Sequence, residues 1–149
     1  MRRRAYLAGV GATGVAALAG CTALADTADD LFGGEPYDIG MSRHSFEPEE
    51  YETTVGDPVV WKNTSEADHT VTAYEDGLPE GASFFASGGY ETEAEASDAY
   101  WNNFGGAFST GETYEHTFEV PGTYAYYCVP HEKDGRGDGR MMGLVHVEE

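Results

Sequence analysis

The sequence predicts an all-β domain, an antiparallel β-sandwich of about seven or eight strands. Three observations carry that reading. Apolar and polar residues alternate in short runs between Val59 and Val147. Turn-forming pieces such as Asn63-Thr64-Ser65 and Pro121-Gly122 separate those runs. The 113 residues from Tyr37 to Glu149 are enough for one small domain with its own core.

In chain order, Val59 and Trp61 alternate with Val60 and Lys62. His69, Val71 and Ala73 share one face, with Thr70, Thr72 and Tyr74 on the other. The stretch from Glu75 to Thr110 is less regular. Within it, Thr92-Glu93-Ala94-Glu95 has the form of a capping box and predicts a short helix over about Glu93 to Trp101. Glycine pairs flank it at Gly88-Gly89 and Gly105-Gly106. Tyr114, His116, Phe118 and Val120 oppose Thr113, Glu115, Thr117 and Glu119. After the Pro121-Gly122 turn, Tyr124, Tyr126 and Cys128 face one way, Ala125 and Tyr127 the other. Finally Val145 and Val147 alternate with Leu144 and His146.

The start of the chain reads as an export address over residues 1–20. Arg2, Arg3 and Arg4 precede an uncharged run from Leu7 to Gly20, too short and small-residue-rich for a membrane span. Arg3-Arg4-Ala5-Tyr6-Leu7 is similar to a twin-arginine signature. Leu18-Ala19-Gly20-Cys21 resembles a lipobox, which implies cleavage before Cys21 and a lipid on its sulfur. An ordinary signal peptide with a chance cysteine is the alternative; the distance of the tetrapeptide from the arginines favours the lipid. Residues 21–36, rich in Ala, Asp, Thr and Gly, read as the lipid-anchored tether of the domain at 37–149. The expected location is the extracellular face of the cell membrane.

The formal charge is −19, and losing Arg2, Arg3 and Arg4 with the signal takes it to −22. Such a surface repels itself at low ionic strength, whereas in molar salt the Debye length falls to about 3 Å. The composition fits a halophilic, brine-dwelling protein, and it excludes nucleic acid as a partner, because phosphate binding needs a basic face. Only two cysteines occur, Cys21 and Cys128. A lipidated Cys21 cannot pair with Cys128, so the second thiol needs another form of protection from oxidation.

Metal ligation provides it. Cys128 and His131 stand three residues apart, with Met141 downstream and His69 far upstream. A thiolate, two imidazoles and a weak thioether are the donors of a type 1 copper centre. The period-two pattern points His69 and Cys128 inward at strand ends, with His131 in the loop beyond Pro130. The remaining histidines carry no such constellation. His44 has no evident partner, His116 packs inward at mid-strand, and His146 alternates outward; Met41 reads as core. Asn63-Thr64-Ser65 is a glycosylation sequon that permits a surface glycan.

Several motifs together resemble the small blue copper proteins of the plastocyanin type, within the cupredoxins. They are Phe46-Glu47-Pro48, Val55-Gly56-Asp57, Val60-Trp61-Lys62-Asn63, His69-Thr70-Val71, Phe118 to Tyr124, and Tyr127-Cys128-Val129-Pro130-His131. Within that family the chain is most similar to the halocyanins, the membrane-anchored form of salt-loving archaea. The resemblance implies a Greek-key sandwich and one copper ion cycling between Cu(I) and Cu(II). It also implies His69, Cys128 and His131 as strong ligands and Met141, from Met141-Met142-Gly143-Leu144-Val145, as the axial one. One departure is clear. The family places four residues between the second histidine and the methionine, whereas here there are nine, Glu132 to Arg140. The surplus falls in 133–140 and carries Lys133, Arg136 and Arg140, three of the five basic residues of the mature chain. It is expected to loop out as a local basic patch beside His131. Arg136-Gly137-Asp138 spells an adhesion tripeptide that a chance match explains.

The expected function is electron carriage by a monomer between membrane donor and acceptor proteins, a terminal oxidase among the candidates for acceptor. His131 is the expected exit for the electron and Tyr127 a second path. A copper scavenger or metallochaperone is the alternative, although Met141-Met142 is the only methionine pair. A thiol enzyme is disfavoured, since Cys128 and His131 lack the independent Asn or Asp that orients such a pair.

Overall fold

The computed structural model describes residues 36–132 and 141–149. The chain divides into Met1–Pro36 and Tyr37–Glu149. The second unit contains β1 (Ile39–Met41), β2 (Phe46–Glu47), β3 (Glu50–Thr54), β4 (Pro58–Asn63) and β5 (Thr72–Ala73). Helix α1 (Glu93–Asn103) follows, then β6 (Thr113–Thr117), β7 (Gly122–Tyr127) and β8 (Met142–Glu148). The signal, Cys21, the tether up to residue 35 and the basic segment 133–140 lie outside the described residues.

Alternation sets the inner faces. In β4, Val59 and Trp61 are wholly buried, while Val60 and Lys62 between them are partly exposed. In β7, Tyr124 and Tyr126 are buried, and in β8 Gly143, Val145 and Val147 alternate with half-exposed neighbours. The two inner faces close over Ile39, Met41, Trp61, Phe85, Phe118 and Tyr126. Burial of these large apolar groups is the main force holding the sandwich together, at roughly 1.5–3 kcal/mol for each fully buried side chain.

The strands form two four-stranded sheets, ordered β2-β1-β4-β6 and β3-β8-β7-β5. Here the purely antiparallel expectation needs correction. β1 runs parallel to β4, with Ile39 beside Trp61, and β3 runs parallel to β8, with Tyr51 beside Val145. The chain leaves the first sheet after β2, forms β3 in the second, and returns to the first with β4. A crossover of that kind is what allows two neighbouring strands to point the same way. Alternation within a strand reports which face is buried and carries no information about direction.

Helix α1 begins where the capping box predicts and runs two residues beyond Trp101. Thr92 accepts a hydrogen bond from the Glu95 amide at 3.1 Å. The reciprocal bond is shifted by one residue: Glu95 Oε2 accepts from the Glu91 amide at 3.2 Å. Below the helix, Gly106 has φ +78°, and a Cβ there would collide with the Ser87 carbonyl. Only glycine lets the chain pass that close as it leaves α1.

The helix creates a second, smaller core. Tyr100 packs with Tyr127 and Val129, and Tyr74 and Met142 close its sides. Tyr127 does point away from the main core, as its place in β7 requires. It is nonetheless only 7% exposed. Tyr74 stacks on it at 4.3 Å.

Candidate metal centre

His69 is anchored before β5. Its amide and carbonyl exchange hydrogen bonds with Phe108, at 3.2 and 2.9 Å. The ring then meets a polar brace. Asn63, at the end of β4, donates from its amide nitrogen to the carbonyls of Ala67 (2.6 Å) and Phe108 (3.0 Å). The Asn63 carbonyl oxygen accepts from the Ser65 amide and the Ser65 hydroxyl, each at 2.9 Å. Ser65 Oγ lies 2.9 Å from His69 Nε2. With Asn63 Oδ1 and the Ala67 carbonyl both in reach of the Ser65 hydroxyl proton, a ring protonated at Nε2 can donate to Ser65 Oγ. That tautomer leaves the lone pair on Nδ1, which faces Cys128 Sγ at 3.5 Å.

Cys128 lies at the end of β7, wholly buried. The Thr70 amide points at its sulfur from 3.4 Å, and the Thr70 hydroxyl accepts from the Val129 amide at 2.8 Å. A single turn, Val129–His131, then swings His131 back, with its Nδ1 3.3 Å from Sγ. The ligand atoms of His69, Cys128 and His131 all lie within 4.8 Å of one another. Metal–donor bonds of about 2.0–2.3 Å place neighbouring donors about 3.5 Å apart, so one ion fits among them. Met141 closes the loop. Its carbonyl accepts from the Cys128 amide at 3.0 Å, and its amide donates to the His131 carbonyl at 3.1 Å. The Met141 side chain is buried in the same core cluster as Cys128.

The electrostatics of the site suit a bound cation. Burial pushes the Cys128 thiol up to about 12, only partly offset by the bonds from Thr70 and the His131 amide. Burial, then the neighbouring His131 and His44, lower His69 to about 4, so its ring is neutral near pH 7 and ready to ligate. A neutral imidazole beside a thiol that ionises only against a positive charge is what a soft divalent or monovalent metal needs.

The other sequence expectations divide. Met41 is wholly buried core, His116 stacks on Phe85 at 4.7 Å, and His146 faces outward against Glu50 at 3.2 Å. His44 is not isolated: its ring meets His131 edge-on at 5.8 Å. The sequon does not present a surface asparagine. Asn63 is 0% exposed, with its amide committed to the brace behind His69. The sequence reading also missed Thr70 and Ser65. Adjacency to His69 was the available signal for Thr70, but the outward face assigned to it obscured its bond to the sulfur.

An eight-strand sandwich of two mixed sheets, carrying this donor cluster at one end, has the cupredoxin fold. Residues 37–148 match the copper binding proteins of the plastocyanin/azurin family, and the chain belongs to that family. It is 32% identical to a plastocyanin of Scenedesmus fuscus over 103 residues, covering 69% of this chain and 86% of the relative. Over 139 residues it is 32% identical to the major chloroplastic plastocyanin of Arabidopsis thaliana, covering 93% of this chain and 70% of the relative. The match to the chloroplastic plastocyanin of Oryza sativa subsp. indica, 31% identical, takes in 68% of this chain and 54% of that protein. Among solved structures, an oxidised amicyanin variant superposes with a TM-score of 0.52 at 25% identity, covering 78% of this chain and 86% of that one.

Proposed function

We propose that this protein is a halocyanin-type one-electron carrier and not an enzyme. The observation that carries the reading is the triangle formed at the end of the sandwich by the buried Cys128 Sγ, a buried His69 nitrogen and a nitrogen of the partly buried His131. A copper ion held there supplies a couple between Cu(I) and Cu(II). His69, Cys128 and His131 would bind it strongly, with Met141 as a weaker thioether donor. The protein's part is to hold those donors still. Thr70, Ser65 and Asn63 fix the sulfur and one ring through the hydrogen bonds given above. A centre that keeps its shape in both oxidation states has little to rearrange when an electron arrives. Cys128 and His69 are wholly buried, which denies a substrate access to the nucleophile. His131 is only partly buried and is the natural contact for small redox agents.

The signal and Cys21 support an anchor by lipid at the outer face of the cell membrane, and the carrier is taken to act as a monomer. There it would exchange electrons with membrane donor and acceptor proteins, a terminal oxidase among them. Absorption and paramagnetic resonance of the copper-loaded, oxidised protein test the function. An intense visible band and a small copper hyperfine coupling are expected. A colourless oxidised protein refutes the reading. For the anchor, mass spectrometry of the membrane fraction should find acyl chains on Cys21.

A further inference from the structure

We propose that His44 is a transient copper ligand, which with His131 captures the ion at the surface and passes it to the buried site. The inference rests on the copper-site reading and concerns how the ion enters. Of the donors that converge, Cys128 and His69 are wholly buried, and His131 is partly open. An ion arriving from solvent therefore meets His131 first. A second donor at that entrance keeps the ion from leaving before the buried donors close on it.

His44 supplies that donor. It lies exposed in the turn between β1 and β2, and its ring meets His131 edge-on with centroids 5.8 Å apart. A nitrogen of each ring at about 2.0–2.1 Å from one ion places two centroids roughly 5–6 Å apart, so the observed spacing needs little adjustment. The charge of His44 also acts on His69, which puts it in range of both rings. The turn is held in place. The Ser42 amide donates to the Ser45 carbonyl at 2.9 Å, and the two hydroxyl oxygens lie 2.7 Å apart. At its root, the Thr64 amide and hydroxyl both donate to the Met41 carbonyl at 3.1 Å. Thr64 stands between Asn63 and Ser65, so the turn that carries His44 is tied to the brace behind His69. Arg43 and Glu66, one from each loop, line a cleft of about 400 Å³, so their charges offset and capture depends on imidazole lone pairs. A side chain exposed in a turn contributes little to folding, and stability does not account for an imidazole there. In the hand-over, Cu(II) exchanges bound water for His44 and His131, and His69 then displaces His44. The Cys128 proton passes to water as the sulfur binds, and the oxidation state of copper does not change.

The test follows uptake of Cu(II) by the metal-free protein in stopped flow, reading the visible band of the thiolate-bound ion. Wild type is compared with His44→Ala and with His44→Gln, which keeps a polar side chain but lacks the imidazole. Both variants should take up copper about ten-fold more slowly, as when a metal ligand loses its support. Release to excess EDTA should slow by the same factor, because the ion leaves by the path it entered. The final visible spectrum, the reduction potential and the Kd for copper should therefore be unchanged. Equal uptake and release rates in wild type and both variants overturn the inference and leave the copper site standing. A variant with an altered spectrum or a weaker Kd assigns His44 to the finished site and overturns it too. Failure of wild type to bind copper removes the copper-site reading, and the capture step falls with it.

Discussion

His69 and His131 reach the same sulfur from two differently built regions. The His69 side is a closed network: its backbone pairs with Phe108, and its ring rests on Ser65, itself held by the buried amide of Asn63. The His131 side is a single turn after Cys128, partly exposed, with the His44 ring against it. Behind it, Glu132 accepts a bond from the Tyr74 hydroxyl at 3.2 Å. The first region determines geometry, because moving His69 would strand several buried polar groups. The second offers access, because His131 is only partly buried.

The largest effect comes from removing what both regions share. Cys128→Ser should abolish the intense visible band of the copper-loaded protein, while leaving the sandwich folded by circular dichroism. Next, Asn63→Ala should destabilise the metal-free protein by about 3 kcal/mol in urea unfolding. It orphans the Ser65 amide and takes one of two bonds from each of the Ala67 and Phe108 carbonyls. Copper affinity should fall about 10–100-fold as the ring of His69 loses its support. If Asn63→Ala were as mild as a surface change, the closed-network account of the His69 side would be wrong.

Acid probes the same side without mutation. His69 falls from the ordinary 6.5 to about 4 in the folded chain, so the unfolded chain binds the proton first. Stability is therefore fully present above about pH 6.5 and is lost as pH falls towards 4, by up to about 3 kcal/mol. His116, also lowered by burial, acts in the same direction. Urea midpoints of the metal-free protein at pH 7.5 and pH 4.5 check the sign. The smallest effect belongs to the other region. Tyr74→Phe removes one partly buried bond to Glu132 and should cost about 1 kcal/mol, with the visible spectrum unchanged. A larger loss would show that the metal loop is as tightly held as the His69 side.

Much of this fold is legible in the chain. The alternation through Val59-Val60-Trp61 and Tyr124-Ala125-Tyr126 marks inner faces, because strand side chains alternate with period two. Thr92 to Glu95 announces the start of α1, because a cap is made within four residues. Three of the donors that converge, His69, Cys128 and His131, can be named from residue type and spacing. The support around them cannot. Ser65 and Asn63 look like a turn and a glycan acceptor until Phe108, 45 residues away, closes over the amide. His44 looks solitary until the sandwich brings its loop beside His131.

By itself, then, the sequence determined the strand faces, the helix start and the chemical character of the donors, since these depend on neighbours a few positions apart. Tertiary structure alone decided that two strand pairs run parallel, that α1 covers Tyr127, and that a Thr amide reaches a sulfur 58 residues away. Those relations arise from which sheet each segment joins. Distant segments meet only when apolar faces are buried together, and no local pattern encodes the partner.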